Sequence, residues 1–398
     1  MTEAEITLTS LSTTRSRVLD PPDELIELAA GHRLVRLVHA DGRLGWIVLN
    51  YRDASRLLKD PRVSSRQDLR HGPLPHARVR RRMEPTPPGF FMRLDPPEHG
   101  RYRRHFAGLF GGRSMSRLES AVIHQVDVCL DRLAEAGPPA DLAGEFAEPL
   151  ASSVVCGMVG VPERDRTWLA ATIATMLDLT ETAERVVAAE GKFRRYLEDL
   201  AGLRRREPAD DLMSMLTQRQ GLTDAEVSNM MQLVLSGGLE ITASMLSFGV
   251  FALLTRPDQL RRLLSKEVDD GAAVEELLRF LTVSPLLTRT VLDDIDVDGQ
   301  RMRAGEPMTI HLGVVNRDRA QFGAADDLDL GRPSREHLAF GDGPHTCLGQ
   351  HLARLLLRVG YRRLFDRFPG IRLAVPESEV ATRNESVIYG VKSLPVIW

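Results

Sequence analysis

Hydrophobic residues are spaced in two different ways along the chain. Near the N-terminus, residues 33–38 and 46–49 alternate or run apolar on either side of Ala40–Arg43, which is the pattern of a β-hairpin. From residue 115 to residue 206 the apolar positions recur at helical spacing in amphipathic stretches. The pattern predicts helices over much of the chain and short strands near its start.

The longest helical pattern begins at Thr223–Glu226, a sequence typical of a capping box, and stops before Arg256. It is apolar on nearly every side, which predicts a helix buried inside the protein. Gly237 and Gly238 interrupt it, at a cost of about 1 kcal/mol each relative to alanine, and Glu240 follows closely. Two explanations are open: the glycines allow a kink or the close approach of a ligand, or they allow tight helix packing.

A glycine-rich loop, Phe340–Pro344, precedes Cys347, and helical spacing resumes at Leu348. A thiol at a helix N-terminus feels the positive end of the helix dipole, which favours its thiolate form. On residue chemistry alone, three interpretations compete. Cys347 is a buried structural cysteine, a nucleophile with His345 or His351 as its general base, or the axial ligand of a haem.

Composition narrows the class of protein. The chain has 398 residues, 43% hydrophobic and 27% charged, as is typical of a soluble globular protein. Its formal net charge of -3 and the lack of a basic tail give no sign of nucleic-acid binding. Its three cysteines, Cys129, Cys156 and Cys347, argue against a disulfide framework and fit a reducing cytoplasm. A polar N-terminus and the lack of any run of about 20 apolar residues predict neither a signal peptide nor a membrane span.

The cysteine loop fits the pattern Phe-x-x-Gly-x-x-x-Cys-x-Gly, here Phe340, Gly343, Cys347 and Gly349. This pattern resembles the haem-binding loop of the cytochrome P450 family, and it places the haem-thiolate interpretation first. The resemblance extends over residues 20–398 in the family's order and is to the soluble bacterial type. It implies a mainly α fold with a small β lobe, in a single domain that follows a polar segment of residues 1–20.

The resemblance implies a bound haem b whose iron takes the thiolate of Cys347 as its axial ligand. His99 and Arg103 lie four residues apart on a predicted helix that starts at Asp95–Glu98, so they share a face. In the family such a pair binds the haem propionates, and the propionate ligands expected here are His99, Arg103, Arg289 and His337. The other expected haem contacts are Phe340, Gly341, His345 and Gly349.

The central helix departs from the family's pattern on the side where oxygen binds. The usual run is small-Gly-x-acid-Thr, whereas this chain has Ile241 in the position of the threonine that supports oxygen protonation. Thr242 comes one residue later and is rotated by about 100° around the helix. We therefore expect Glu240, with Thr242, to be the distal polar groups. If Thr242 does not take this role, the substrate or an ordered water replaces the hydroxyl of the usual threonine, or the reaction does not need that hydroxyl.

Two further sets of residues follow from the resemblance. Glu276 and Arg279 are one helical turn apart and resemble the family's structural salt bridge, so we assign them no catalytic role. The residues expected to line the substrate pocket are Phe91, Leu233, Ser236, Gly237, Pro285, Leu286, Leu287, Ile388 and Tyr389.

The activity that the resemblance implies is oxidation of a small, largely apolar organic substrate, as in secondary metabolism, with O2 and two electrons. A separate ferredoxin and its reductase would supply the electrons. Arg101, Arg104 and Arg354 are candidates for contacts with such an acidic partner, or for an ordinary solvated face. The basic cluster Arg78–Arg82 leans slightly toward an acidic or carrier-protein-tethered substrate.

Three alternatives to this monooxygenase are open. Ile241 is also consistent with atypical haem-thiolate chemistry, such as oxidative coupling or a substrate-assisted hydroxylation. A non-catalytic haem-binding accessory protein would keep the same cysteine and glutamate-arginine motifs, because both serve the fold. A cysteine hydrolase would instead be isolated without haem and be inactivated by thiol reagents.

Overall fold

Helices dominate the computed structural model, which describes residues 6–75 and 85–398; the basic cluster Arg78–Arg82 lies outside the described residues. The helices are α1 Asp23–Ala29, α2 Tyr51–Lys59, α3 Glu98–Arg103, α4 Gly112–Ala136, α5 Glu148–Val159, α6 Glu163–Leu177, α7 Ala183–Arg206, α8 Leu212–Thr217, α9 Asp224–Leu254, α10 Pro257–Leu264, α11 Asp270–Leu281, α12 Leu312–Val315, α13 Arg319–Phe322 and α14 Gln350–Arg367. The strands are β1 Thr7–Leu8, β2 Leu34–Val38, β3 Leu44–Val48, β4 Val63–Ser64, β5 Ala140–Asp141, β6 Leu286–Val291, β7 Ile295–Val297, β8 Gln300–Met302, β9 Pro307–His311, β10 Arg372–Leu373 and β11 Pro395–Ile397.

A mixed six-stranded sheet, in the order β1-β2-β3-β9-β6-β4, forms the small β lobe. The predicted hairpin is present, because β2 and β3 pair antiparallel with Leu34 opposite Val48 and Val38 opposite Leu44. Strand β9 pairs parallel to β3 and antiparallel to β6. The β lobe therefore combines the start of the chain with strands from its second half.

Residues 7–19 belong to the folded domain, so the expectation of a separate segment of residues 1–20 is wrong within the described part of the chain. Strand β1 pairs parallel to β2. Leu8 and Leu11 are buried in the core of the N-terminal strands, and Leu19 is buried in the main core. Burial of these three leucines fixes the segment to the sheet and the helices, although most of its other residues are polar.

Helix α9 runs unbroken through the main hydrophobic core, as its apolar pattern predicts. The capping box is present: Thr223 Oγ1 accepts a hydrogen bond from the Glu226 N–H (3.2 Å), and Glu226 Oε2 accepts one from the Thr223 N–H (2.9 Å). By length and composition this helix is apolar enough to cross a membrane, but 72% of its apolar window is buried inside the protein. Its hydropathy is therefore that of a core helix.

The two glycines of α9 have different roles. A Cβ on Gly238 would lie 2.8 Å from Val155 Cγ1, so Gly238 allows α5 and α9 to pack closely. A Cβ on Gly237 would meet no atom within 4 Å, so this residue borders open space. Tight packing and room for a ligand, the two explanations that the sequence leaves open, thus apply to adjacent residues.

Glu276 and Arg279 form an ion pair in which neither side chain is exposed to solvent. Arg279 Nε and Nη2 lie 2.7 and 2.8 Å from the two carboxylate oxygens of Glu276. Arg279 Nη1 also donates to the carbonyls of Asn316 and Ala325, at 2.8 and 2.9 Å. The pair therefore ties α11 to the irregular segment that leads into the cysteine loop, which is a structural role.

We expect Arg279→Met to lower the free energy of unfolding by about 3–5 kcal/mol, because it leaves the Glu276 carboxylate buried without its partner. Urea denaturation followed by circular dichroism measures the change. Arg301→Met is the matched control, since it removes an ion pair with Asp294 (2.6 Å) whose side chains are 69% and 39% exposed. That variant should lose less than about 1 kcal/mol. Equal losses in the two variants would contradict the structural role.

Candidate active site

The cysteine loop is shaped by glycine and closed by its backbone. Gly341 and Gly343 have φ of +69° and +68°, a conformation that residues with a Cβ rarely adopt. The N–H of Cys347 donates to the carbonyl of Phe340 at 2.9 Å, so the turn returns next to its own start. Gly349, two residues further on, is the N-cap of α14. The glycine-rich loop after Phe340 therefore places the Cys347 thiol just before the N-terminus of the long helix α14.

Three groups beside the Cys347 thiol favour its thiolate form. Burial raises the pKa of this thiol, whereas a hydrogen bond from the Gly349 N–H and the guanidinium groups of Arg103 and Arg354 act to lower it. The pKa remains raised on balance, so the free thiol is a weak nucleophile at neutral pH. Coordination of a metal ion would fix the deprotonated form. The thiol is thus better suited to ligation than to nucleophilic attack.

Basic side chains from three parts of the chain converge beside this loop: His99 and Arg103 of α3, Arg289 of β6, and His345. The ring centroids of His99 and His345 are 4.2 Å apart. Arg103 Nη2 donates to the carbonyl of Thr346 at 2.6 Å. Within the described part of the chain, the Nε2 of His99 is buried and has no hydrogen-bond partner.

The charge of this cluster is not balanced by the residues around it. Burial lowers the pKa of His99 to about 4, of His345 to about 3 and of Arg289 to about 10. Asp95 also acts on the cluster, but its carboxylate already accepts hydrogen bonds from the Ser64 hydroxyl (2.5 Å) and the Ser65 N–H (2.8 Å). The buried Nε2 of His99 has no partner, and the positive charge of Arg103 and Arg289 is not balanced. Such a group of side chains is suited to binding carboxylates, and the two haem propionates fit it.

The same depressed pKa makes His345 a poor general base, which weakens the nucleophile interpretation of Cys347. Its ring lies against His99, and the described hydrogen bonds include none between His345 and the thiol. His351, the other candidate base, is an exposed residue of α14. Neither histidine is placed to activate Cys347.

His337 does not join the basic cluster, and the expectation that it binds a propionate is wrong. Its Nε2 lies 3.1 Å from Glu275 Oε2, and its Nδ1 accepts a hydrogen bond from the Ala339 N–H at 3.1 Å. Both ring nitrogens therefore have partners within the protein. His337 supports the cysteine loop from behind, while His345, which the sequence assigns only to general haem contact, faces the cluster.

Arg354 also has an internal role, so it is not available to an acidic partner protein as expected. Its Nε and Nη2 lie 2.5 and 3.0 Å from the carboxylate oxygens of Glu275, and its guanidinium is 4.6 Å from the centroid of the Phe340 ring. Burial acts to raise the pKa of Glu275, but hydrogen bonds from His337 and Arg354 lower it to about 2. The carboxylate is therefore charged at neutral pH and holds both basic groups against the loop.

Gly237, Glu240 and Ile241 lie on one face of α9, because they are three and four residues apart. Ile241 is half-buried at the edge of the main core, whereas Thr242 is buried among the residues that follow it. That position argues against Thr242 as a substitute for the missing hydroxyl. Glu240 is not isolated in an apolar setting, because it forms an ion pair with Arg383. No local pattern signals this pair, since the partners are 143 residues apart.

Five of the expected pocket residues lie at exposed or half-buried positions, namely Leu233, Ser236, Gly237, Leu286 and Leu287. Leu233 and Gly237 are on α9, and Gly237 borders open space. Leu287 Cδ1 would be 3.7 Å from a Cβ on Gly341, so Leu287 faces the cysteine loop. Leu286 points to the opposite side of β6 and packs into the core of the N-terminal strands, so it is not a pocket residue.

The hydroxyl of Ser236 is buried without a hydrogen-bond partner in the described part of the chain, although the residue as a whole is half-buried. The Tyr389 side chain contacts the N-terminal segment. Its hydroxyl donates to the Val18 carbonyl at 2.9 Å, and the Arg15 guanidinium lies 3.8 Å from its ring centroid. Phe91, Pro285, Ile388 and Tyr389 are buried, and Pro285 and Tyr389 both line a small internal cavity. The assignment of these four residues to the substrate pocket stays a prediction.

Comparison with known proteins identifies the family of this chain. A model of the cytochrome P450 family matches residues 271–393. The chain is 37% identical over 380 residues to cytochrome P450-SU2 of Streptomyces griseolus, covering 95% of this chain and 94% of that protein. The chain belongs to the cytochrome P450 family. It is also 38% identical over 386 residues to pentalenic acid synthase of Streptomyces avermitilis, covering 95% and 94% of the two chains.

The fold of this cytochrome P450 matches solved structures as well. The crystal structure of CYP105P1 in complex with filipin I has a TM-score of 0.90 and 32% sequence identity, over 98% of this chain and 99% of that chain. The predicted mainly helical P450 fold is therefore confirmed. The protein is an oxidoreductase of the monooxygenase class, so the cysteine-hydrolase alternative is wrong.

Family membership implies haem iron ligated by a thiolate, small-molecule substrates, and a need for O2 and redox partners. The residues of this P450 fit that group. Cys347 is the thiol in the family's loop, and the unbalanced basic cluster with its orphaned His99 Nε2 matches a dianionic cofactor edge.

We expect Arg289→Ala and His99→Ala to weaken haem binding by about tenfold each, because each removes a charge-assisted hydrogen bond from a buried carboxylate. Titration of the haem-free protein with haemin, followed at the Soret band, gives the dissociation constant. His337→Gln is the matched control. It should keep the haem affinity of the parent and lower the urea midpoint, since it disturbs only the Glu275 contact. A larger loss of haem affinity in His337→Gln than in Arg289→Ala would contradict the assignment.

Proposed function

We propose that this P450 oxidises a small, largely apolar organic substrate of secondary metabolism in the cytoplasm. The observation that carries the proposal is the open face of α9 at Gly237 together with the thiol loop and its basic cluster. Half-buried aliphatic side chains at the edge of the main core include Leu233, Ile241 and Val387. The names of its relatives, which refer to pentalenic acid and filipin I, support a substrate of this kind.

We infer that the cofactor is haem b. The chain has no Cys-x-x-Cys-His attachment sequence, so the haem would be held by Cys347 and by non-covalent contacts. Arg103 and Arg289 would neutralise its propionates, and His99 and His345 would donate hydrogen bonds to them. A thiolate-ligated haem supplies reductive activation of O2, since the sulfur donates electron density to the iron.

The remaining roles belong to side chains around the cofactor site. Phe340, with the Arg354 guanidinium over its ring, shields the thiol from solvent. Gly237 leaves open space for a ligand on its face of α9, and Ile241 contributes an apolar side chain to the same face. Glu240 is the only titratable side chain of α9 beyond its first turn, so protons that reach this face through α9 pass through its carboxylate.

Ile241 favours a second candidate within the same family, namely an oxidation that does not depend on a threonine hydroxyl. An isoleucine can neither donate nor accept a hydrogen bond. A hydroxyl of the substrate or an ordered water would take the place of the threonine. Oxidative coupling, which needs no such hydrogen bond, is the other outcome that this residue supports.

A ferredoxin with its own reductase is the proposed electron donor. Arg101 and Arg104 are exposed on the surface beside α3, and Arg219 is exposed nearby. Burial and these three arginines together lower the pKa of His105, which marks a concentration of positive charge. A basic surface of this kind supports docking of an acidic redox protein. A carrier-protein-tethered substrate rests on Arg78–Arg82 alone, which lie outside the described residues.

The proposed haem-thiolate centre is tested by the absorption spectrum of the reduced protein under carbon monoxide. We expect a strongly red-shifted Soret band in the parent, which Cys347→Ser loses because an alcohol does not replace the thiolate donor. Cys129→Ser is the control, since it makes the same exchange at a buried cysteine of the main core and keeps the ligand. Isolation of well-folded parent protein that contains no haem would contradict the proposed haem-thiolate centre.

The role of Ile241 is tested by Ile241→Thr, with O2 consumption, peroxide release and product formation measured together. If substrate or water already supplies the hydrogen bond, the parent releases little peroxide. The variant should then release about tenfold more, because the new hydroxyl binds the water or substrate group in a second geometry. A drop in peroxide release would show instead that the parent is impaired by the missing threonine. Haem binding without any product, with tight binding of a partner enzyme, would support the accessory-protein alternative.

A further inference from the structure

A small internal cavity lies where the N-terminal segment, the end of α11 and the end of β9 meet. Its volume of about 10 Å³ is the room that one water molecule needs. Among the described residues that line the cavity, four have polar side chains, namely Arg15, Thr282, His311 and Tyr389. Apolar residues and one glycine form the rest of the lining. The cavity therefore joins polar groups from four distant parts of the chain.

Arg15 brings a positive charge to this cavity without an acidic partner. In the described part of the chain no carboxylate forms an ion pair with its guanidinium, and its Nε is buried without a hydrogen-bond partner. The two acids whose charges act on Arg15 are engaged elsewhere: Asp20 lies 3.6 Å from Arg317, and Asp23 accepts two hydrogen bonds from Ser16, at 2.8 and 2.9 Å. Burial lowers the pKa of Arg15, but a guanidinium remains protonated at neutral pH.

His311 adds a second N–H group without an acceptor. The residue is 3% exposed, and burial lowers its pKa to about 3, so the ring is neutral at pH 7. Its Nδ1 accepts a hydrogen bond from the Val314 N–H at 3.1 Å, so the ring proton is on Nε2. The described hydrogen bonds include none from that Nε2. A buried donor without an acceptor is costly, and this cavity has one on His311 and one on Arg15.

The side-chain acceptors of the lining already have partners. Thr282 Oγ1 accepts a hydrogen bond from Asn316 Nδ2 and donates one to the Arg279 carbonyl, both at 2.9 Å. The Tyr389 hydroxyl donates to the Val18 carbonyl. A water molecule could accept from the two free N–H groups, but it would find no free side-chain acceptor for its own protons. A monatomic anion only accepts hydrogen bonds, and it also balances the charge of the arginine.

We propose that this cavity is a halide site in which Arg15 and His311 bind a chloride ion. Chloride is only slightly larger than water, so it fits after a small shift of the flexible Arg15 side chain, whereas sulfate and carboxylates are too large. The ion links the N-terminal segment to β9 and to the C-terminal turn at Tyr389. This site is separate from the haem-thiolate centre, and the inference does not depend on the proposed function.

The alternative occupant is an ordered water molecule. The face of the Tyr389 ring, 3.8 Å from the Arg15 guanidinium, would then be the main compensation for its charge. Two variants separate the alternatives, Arg15→Gln and His311→Phe. Arg17→Gln is the matched control, because this neighbouring arginine pairs with Asp20 at 3.5 Å and its side chain is 70% exposed.

The first measurement is the line width of the chlorine-35 NMR signal in solutions of the haem-containing protein, with sodium gluconate keeping the ionic strength constant. We expect the parent to broaden the line and bromide to reverse the broadening. Arg15→Gln should weaken chloride binding about tenfold, because it removes a charge-assisted hydrogen bond. Arg17→Gln should behave as the parent does. Equal broadening by Arg15→Gln and the parent would place the chloride elsewhere and overturn the proposal.

The second measurement is the urea midpoint in sodium chloride against sodium gluconate. A ligand that binds only the folded state raises the midpoint, so chloride should stabilise the parent and Arg17→Gln saturably. Arg15→Gln and His311→Phe should lose this dependence on chloride, whatever their midpoints in gluconate. If Arg15→Gln does not fold, the parent and His311→Phe decide the result. A parent midpoint that is the same in both salts contradicts the site.

Anomalous diffraction from crystals of the parent grown in sodium bromide locates the ion directly. We expect a bromide peak in the cavity, within hydrogen-bond distance of Arg15 and His311. Density for an ordered water at that position, with no anomalous signal, would establish the alternative occupant and refute the halide site.

Discussion

Two adjacent buried glutamates of α11 anchor the segment that presents Cys347. Glu276 holds Arg279 and also receives Arg332 Nε at 3.3 Å, which ties down the irregular chain ahead of the loop. Glu275 faces the other way and binds both His337 and Arg354, one from each side of the cysteine. A charge buried in this way is tolerated only when its partners remain in place. The position of the thiol therefore depends on two glutamates whose partners Arg332, His337 and Arg354 lie more than 50 residues further along the chain.

The two glutamates of α11 have all their partners within the protein. The basic cluster beside the thiol, in contrast, has too few acidic partners within the chain. Buried donors without acceptors cost free energy, and the depressed pKa values of His99 and His345 express that cost. A dianionic cofactor edge would remove it. Haem affinity and the stability of this region are consequently linked, since a ligand that binds only the folded state stabilises that state.

On the distal side, the C-terminal hairpin connects elements that are remote in sequence. The Leu179 N–H, between α6 and α7, donates to the Glu385 carbonyl at 2.7 Å. Tyr389 is fixed to the N-terminal segment through Val18, and Arg383 reaches Glu240 on α9. Ile241 thus lies next to an acid whose ion-pair partner comes from the hairpin rather than from its own helix.

The sequence by itself determined the features that depend on local spacing. The capping box of α9, the glycine loop before Cys347 and the shared face of His99 and Arg103 each need only a few consecutive residues, whose backbone preferences and periodicity are strong. The family and the fold could be predicted from these motifs in their order along the chain.

Only the tertiary structure decided which groups face one another. His337 and His345 flank the same loop, and the direction of each ring, not its spacing, assigns one to Glu275 and the other to the cluster. Alternation along β6 sends Leu286 into a core and Leu287 toward the loop, and burial of Tyr389 depends on a segment near the N-terminus. The pairing of Arg383 with Glu240 has no local signal, because electrostatic partners are chosen by distance in space rather than by separation along the chain.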